Sequence, residues 1–365
     1  MPRFISADLI SGRVREELPL RIEGDLSRLL SNVGAGTLSL SVLDPACPAD
    51  WEDLTAPWRT LLVAVDDDTE AILWAGIPTS RSRDPLGPVV TLPCSTVEVY
   101  LGRRYVPTLA WSGRDQTSVI ARGLVGVTTP QGIGLTFDTP ESFVYRDRSY
   151  FWDESISVLQ RLTELAAVID GFEWSIDVEW ADAAHTRFTK VFRTGYPYRG
   201  RVTSSPNAVF ELPGGIVSGT YDELWGADAA ATHVLAFGDG QGESRGISAP
   251  VIDTVAEASG MPRLELTRSM SGVTTQSVLD AHAKSFAAET FGGQRIITIT
   301  ARADAPPRFS EYSLGDSVGI QIHTDTVQLD EVWRLVGWYL SADSGTVKPA
   351  IARIRTPLDG DWIWT

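Results

Sequence analysis

Short stretches of strictly alternating residues recur along this chain, and they limit its fold more than any other feature. In TLSLSVLD (37–44), Leu38, Leu40 and Val42 alternate with Ser39, Ser41 and Asp44. A period of two puts successive side chains on opposite faces of a strand. TLLVAV (60–65), the acidic turn Asp66-Asp67-Asp68 and the returning AILWAGI (71–77) read as a hairpin. PVVTLPCS (88–95) and VEVYLGRR (97–104) read as further strands. A spacing of roughly 10–15 residues between strands argues for a sandwich or a barrel.

The pattern changes near Pro107. QTSVIARGLV (116–125) reads as a short helix stopped by Gly126, and Pro130, Gly132 and Gly134 mark a loop or hairpin. In DESISVLQRLTELAAVIDG (153–171), Ile156, Leu159, Leu162, Leu165, Ala166 and Ile169 recur at steps of three and four. That spacing predicts a helix, with Asp153 or Ser155 as N-cap and Gly171 at the C-terminal cap. Next comes GFEWSIDVEW (171–180). Phe172, Trp174, Ile176, Val178 and Trp180 share one face, and Glu173, Ser175, Asp177 and Glu179 share the other. Such a strand has one face on a core, with Trp174 and Trp180 toward the helix, and the other in solvent or at a subunit contact. On this reading Trp174→Ala damages folding and Asp177→Asn costs little. TRFTKVFRTGYP (186–197) alternates similarly and pairs with it.

Turns become dense again from about residue 204. AVFELPGGIVSGTYDEL (208–224) and ATHVLAFGDG (231–240) read as strands, and VTTQSVLDAHAKSFAAETFGG (273–293) as a helix capped by Thr274 or Thr275 and stopped by Gly292. RIITITARA (295–303), DSVGIQIH (316–323), VWRLVGWYLSA (332–342) and KPAIARI (348–354) are further strands. No repeat of 20–50 residues is evident. The expected class is mainly β with an α+β insertion: two β-rich blocks flank an α+β middle.

With 365 residues the chain has room for two or three domains. A net charge of −16 repels nucleic-acid phosphates and anionic membranes. No apolar run approaches the roughly 18 residues that span a bilayer. MPRFISADLI carries no charged-then-apolar leader, so synthesis and folding in a cytoplasm are expected. Cys47 and Cys94 do not make a disulfide framework, and free thiols are expected.

Several constellations invite chemistry. Gly242-Glu-Ser244-Arg-Gly246 matches the spacing of a nucleophile elbow, but Ile247-Ser-Ala-Pro250 cannot start the helix that such an elbow needs. His185, His233, His282 and His323 show no helical ligand spacing and read as isolated surface or strand residues. Asp66-Asp67-Asp68-Thr-Glu70 lacks the glycine and terminal glutamate of a calcium loop. Gly34-Ala-Gly36 precedes a strand, which rules out a helix-borne phosphate cradle. Arg103-Arg104 is too short a basic patch for nucleic acid. Asp177 and Glu179, roughly 7 Å apart on one strand face, have a spacing compatible with a glycosidase pair. Together with twelve tryptophans they support a rival reading, a carbohydrate-binding or glycan-cleaving protein. The simpler reading is a polar strand face. No catalytic, cofactor-binding or metal residue is assigned.

The order of elements resembles the tail-tip hub proteins of tailed bacteriophages, closest to minor tail proteins of siphoviruses infecting actinobacteria. The stretches that carry the resemblance are ILWAGIPTSRSRD (72–84), VVTLPCSTVEVYLGRRYV (89–106), SVLQRLTELAAVIDGFEWSIDVEW (157–180), FRTGYPYRGR (192–201), MPRLELTRSMSGVTTQSVLDAHAKSFA (261–287), YSLGDSVGIQIH (312–323) and VWRLVGWYLS (332–341). The resemblance implies two tail-tube-like β-barrels and a peripheral α+β domain. Residues 1–106 would form the first barrel, 204–250 with 297–352 the second, and 107–203 with 251–296 the peripheral domain, leaving 353–365 as a tail. It implies a structural virion protein without enzymatic activity or cofactor. It further implies a homotrimer at the distal tail tube, which matches a six-fold tube to a three-fold tip and forms part of the DNA exit channel. Expected partners are the distal tail protein or tube ring, the tape-measure protein and other minor tail or receptor-binding proteins, with DNA met only in passage. The distal tail protein ring is the structural alternative. The chain stops at DGDWIWT (359–365), so no lytic extension is expected, and Trp362, Ile363 and Trp364 are expected to dock on a partner or neighbouring subunit.

Overall fold

A computed structural model describes residues 2–168, 170–240, 245–270, 275–341, 344–353, 355–358 and 361–364. The chain divides into two units, Met1–Val217 with Thr300–Ala352, and Ser218–Ile299 with Arg353–Thr365.

The first unit opens with nine strands: Arg3–Asp8 (β1), Val14–Leu18 (β2), Arg21–Glu23 (β3), Asp25–Leu29 (β4), Ala35–Ser41 (β5), Thr60–Val65 (β6), Ile72–Pro78 (β7), Ser82–Arg83 (β8) and Val89–Thr96 (β9). A one-turn helix, Trp51–Leu54 (α1), interrupts them. Eight of the strands form one sheet in the order β2-β1-β6-β7-β9-β5-β3, with β8 on β9. Apolar side chains meet across it, Leu38 opposite Leu92 and Leu40 opposite Val90. Every residue of β6 is buried, as its unbroken apolar run TLLVAV requires. The two edges of this sheet are consecutive in sequence. Only Pro19 and Leu20 separate Leu18 from Arg21, a reach of at most about 11 Å. β2 runs antiparallel to β1, and β3 antiparallel to β5. Consecutive residues therefore supply both edge strands of the sheet, separated where proline removes a ladder donor.

Residues 97–104, expected as a strand, form a 3-10 helix, Val97–Arg103. Burial decides it: Val97 and Leu101, four residues apart, both enter the core, and Glu98 is buried beside them. The strands Leu109–Asp115 (β10), Leu135–Asp138 (β11), Tyr145–Tyr150 (β12), Glu173–Trp180 (β13) and Phe188–Gly195 (β14) follow. β10 pairs with β12, and β11-β14-β13 form a three-stranded sheet. The expected helix over 116–125 divides into a π turn, Gln116–Ala121, and Arg122–Gly126 (α2). Asp115 accepts the backbone N–H groups of Thr117 and Ser118 at its start. The longer helix is Val158–Ala166 (α3), shorter than 153–171. Its N-cap is Ser157, which accepts from Gln160, rather than Asp153 or Ser155. Ser155 is left-handed at φ 50, closing a separate turn at Trp152–Glu154. Ile169 lies outside the described residues.

These elements have no core of their own. Ile5, Val63 and Ile77 of the first sheet, Leu124 of α2, Leu162 and Leu165 of α3, and Trp174 and Phe192 of the three-stranded sheet belong to one continuous apolar cluster. Residues 107–203 therefore form a lobe built onto the first sheet.

The remaining strands are Val209–Leu212 (β15), Ile216–Leu224 (β16), His233–Phe237 (β17), Val251–Ile252 (β18), Glu265–Ser269 (β19), Gln294–Arg302 (β20), Ser317–His323 (β21), Gln328–Ser341 (β22), Thr346–Ala352 (β23), Arg355–Leu358 (β24) and Asp361–Trp364 (β25), with helices Thr254–Ala258 (α4) and Gln276–Thr290 (α5). The second large sheet runs β15-β21-β22-β23-β20-β16. It shares one feature with the first, although its edge strand β15 runs parallel to β21. Its edge strands β15 and β16 are again consecutive, separated by Pro213, Gly214 and Gly215. β4, expected in the first barrel, instead pairs with β22, from Gly337 opposite Leu29 to Ser341 opposite Asp25. Gly337 permits the approach: a Cβ there would meet Leu29 Cδ2 at 2.6 Å.

Residues 218 and 299 bound the second unit, into which β16 and β20 continue. Its own sheet is β18-β17-β19. β17, expected in the second barrel, runs parallel to β19 and antiparallel to β18. The reason is packing: Val234 joins Leu266 and Ala287, and Ala236 joins Leu279 and Ala283, so the strand needs α5 as its cover. α5 starts after Thr275; Thr274 lies outside the described residues. β24 and β25 form an antiparallel hairpin.

Candidate functional site

The alternating segment β13 carries the densest charged geometry in the first unit. Its pairing with β14 is antiparallel throughout, from Glu173 opposite Gly195 to Trp180 opposite Phe188. Its outer edge is capped rather than free. Trp174 O accepts from Ser31 N at 2.8 Å. Trp174 N donates to Ser31 Oγ at 3.0 Å, and Ile176 N to Glu98 Oε1 at 2.9 Å. On the apolar side, Trp174 is fully buried against the α3 core, as its spacing predicts. Trp180 stacks between His185 and Phe188, with centroids 4.2 and 4.1 Å away, and donates to Glu70 O.

The other side departs from expectation. Asp177, expected in solvent or at a subunit contact, is 7% exposed within the single chain. Three arginines hold it: Arg28 from β4, Arg193 from β14 and Arg199 from the following loop. Arg193 also pairs with Glu179 and Asp138. Glu173 receives two hydrogen bonds from Arg334 of β22, both at 2.6 Å, and one from Arg199 N at 2.8 Å. Four guanidinium groups thus meet four carboxylates, and each bidentate or shared contact fixes geometry as well as charge. Burial pushes the Asp177 carboxyl up, but Arg28, Arg199 and Arg193 outweigh it and hold it below its ordinary value. Burial also raises Glu98, and Arg28 offsets only part of that.

Beside this network lies a cavity of about 480 Å³, lined by Arg28, Asp177, Glu179, Arg193, Tyr312 and Trp338 among others. A general acid needs a raised pKa; Asp177 has a lowered one, and Arg193 grips both Asp177 and Glu179. The arrangement joins elements rather than moving protons. It ties β13 to β4 and β22, and so the lobe on the first sheet to the second sheet.

The other sequence candidates are spread apart. Ser244 and Gly242 lie outside the described residues, as do the side chains of Trp362, Ile363 and Trp364. His233 is buried in β17, His282 stacks on Phe286, and His323 bonds Gln328. Asp66 closes its hairpin turn by accepting from Asp68 N and Thr69 N. Gly34 N donates to Thr96 Oγ1 at the start of β5. Arg104 is structural: it donates to the carbonyls of Val127, Thr128 and Pro130 that follow α2. Arg103 lies over the Trp58 ring. Cys47 and Cys94 are both free, and burial pushes the Cys94 thiol up to about 12.

The partners of Asp177 escaped the sequence reading. A signal for the neighbouring pair was present: Arg334, the partner of Glu173, interrupts the apolar run VWRLVGW (332–338), and a charge there must find a partner.

No protein-family model matches the sequence, and no curated protein matches it. Solved structures do. The chain is similar to a tail protein from Neisseria meningitidis, at 16% identity over 98% of each chain, with a TM-score of 0.58. It is similar to a 43 kDa prophage tail protein from Shewanella oneidensis, at 13% identity over 96% of this chain and 98% of that one, TM-score 0.57. It is also similar to a component of the Escherichia coli type VI secretion system that itself resembles bacteriophage T4 tail proteins, at 9% identity over 95% of this chain and 77% of that one, TM-score 0.51. At such identities the likeness is one of architecture, and the chain has the mainly β fold of these tail proteins over nearly its whole length.

Proposed function

We propose that this chain is a structural protein of a phage tail tip, a trimeric hub that closes the distal end of the tail tube. The repeated construction of its two large sheets carries the proposal. In each, residues on either side of one proline, Pro19 or Pro213, supply both edge strands, so rolling the sheet would close it at that seam. One chain then offers two similar tube-like barrels, and three chains offer six to a six-fold tube. A distal tail ring, with one such barrel per chain, fits this repetition less well. The arginine–carboxylate network suits a part that holds its shape under load. Partners on this reading are the tube ring or distal tail protein, the tape-measure protein and other tip proteins. The net charge of −16 would keep passing DNA from adhering to the channel. Native mass measurement with electron microscopy of the purified chain tests the reading. The expected result is a trimer whose ring shows six similar densities; a hexamer with one barrel per chain overturns it.

A further inference from the structure

The turn between β1 and β2 gathers positive charge without acids to match it. Arg13 faces Arg187 across an isolated antiparallel bridge, just before β14. Val14 N donates to Thr186 O at 3.0 Å and Phe188 N to Gly12 O at 2.8 Å, one bond on either side of the bridge. That pattern makes Arg13 and Arg187 a non-hydrogen-bonded pair, the closer of the two kinds, with Cα atoms about 4.5 Å apart and side chains on one face. Like charges in such a pair oppose the pairing. The crossing is held all the same. Gly12 is left-handed at φ 72, and a Cβ there would stand 1.9 Å from Phe188 O and 3.4 Å from Arg187 Cγ. Only glycine lets the turn pass so close to the Arg187 stem.

Arg13 and Arg187 are both exposed, and neither side chain makes an ion pair or hydrogen bond among the described residues. A third cation lies behind the turn. Lys190 is 1% exposed, and its Nζ donates to Leu9 O at 2.8 Å and Ile10 O at 3.5 Å, with no ion-pair partner among the described residues. Burial pulls its amine down to about 8 and Asp8 offsets part of that, so the charge persists at neutral pH.

The carboxylates nearby are committed elsewhere. Asp8 accepts from Ser11 N at 2.7 Å and Ser11 Oγ at 2.6 Å. Asp182 accepts from Thr186 N at 3.0 Å and Thr186 Oγ at 2.8 Å. Asp53 pairs with Arg15 and Arg59. Glu16, an odd number of positions from Arg13, falls on the opposite strand face. Arg13, Arg187 and Lys190 thus stand against Asp8 and Asp182, a local excess of positive charge in a chain of net charge −16.

We propose that Arg13 and Arg187 clip a phosphoryl group, either free phosphate or a phosphate monoester. Each guanidinium presents a fork of donors that fits a tetrahedral oxyanion. Their two positive charges match the roughly −1.5 to −2 of a phosphate monoester at pH 7; a carboxylate or a phosphodiester carries a single charge. Closing on a shared anion turns the repulsion between the arginines into attraction. Nothing in this clip depends on three-fold assembly.

Isothermal titration of the full chain, at constant ionic strength balanced with chloride, tests it. The probes are inorganic phosphate, glucose 6-phosphate and a thymidine oligonucleotide. Phosphate should bind wild type, and Arg13→Gln and Arg187→Gln should each weaken it by about 10-fold or more. Thermal unfolding gives a second readout. In chloride alone Arg187→Gln should unfold at or above the wild-type temperature, because a repulsion has gone. In phosphate the order should reverse, with only wild type shifting upward. That pair of results supports the clip; binding of glucose 6-phosphate as well makes a monoester its ligand, and binding of inorganic phosphate alone makes it the free ion. Wild type that binds no phosphate, variants that bind it as wild type does, or a preference for the oligonucleotide overturns it.

Discussion

Strand β13 is joined to its neighbours in two unlike ways. Toward α3 the join is dry, with Trp174, Ile176 and Phe192 packed into the cluster that also holds Leu162 and Ile5. Toward β4 and β22 it is ionic, with Asp177 and Glu173 clamped by Arg28, Arg199 and Arg334. The dry join tolerates small misfits by repacking, at a cost set by the volume lost. The ionic join has fixed angles and fails when one partner is removed, because the remaining charges are left buried. The first suits a core; the second suits a junction that must hold one orientation.

The comparison can be broken from either side. Trp174→Ala should have the largest effect, a loss of about 4 kcal/mol of unfolding free energy, since a buried tryptophan leaves a cavity. Urea denaturation followed by circular dichroism measures it. Next comes Asp177→Asn, which takes the carboxylate partner from Arg28 and Arg199, Arg193 keeping Glu179 and Asp138, and should cost about 3 kcal/mol. A loss below about 1 kcal/mol would return Asp177 to the role of a surface residue. Gly337→Val sharpens the contrast, since it removes no charge and crowds the Leu29 side chain and the backbone oxygen of Arg28 on β4. About 2 kcal/mol is expected for such overpacking.

The smallest effect is a pH dependence. Asp177 is held below its ordinary value when folded. Its stabilisation is therefore complete above the unfolded value of about 4 and is lost as pH falls through the folded one. Wild type should lose stability below pH ~4 more steeply than Asp177→Asn, as read from urea midpoints across pH 3–5. Parallel curves for the two would remove the ionic join from the account.

Strict alternation made the two sides of β13 legible, and with them its hairpin with β14 and the burial of Trp174. It says nothing about what lies beyond the polar side. By alternation alone Asp177 reads as a wetted residue, because its partners sit 149, 16 and 22 positions away. Pairing at such separations leaves no local periodicity. The same limit applies to β17, whose alternation is plain but whose sheet with β18 and β19 depends on the distant cover of α5. Val97–Arg103 failed for another reason. Its apolar residues fit a period of two or of four equally well over so short a run, and burial of Glu98 beside Ile176 favoured the helical turn.

One pairing also sets a schedule. β4 comes from residues 25–29, yet its partner on β22 is residues 337–341. On a ribosome adding roughly 5–20 residues per second, more than 300 further residues take about 15–60 s to appear. Throughout that interval the nascent chain displays a strand with unmatched amides. The N-terminal third therefore cannot mature as an independent piece. The pairing of β4 can be completed only after Ser341 has emerged.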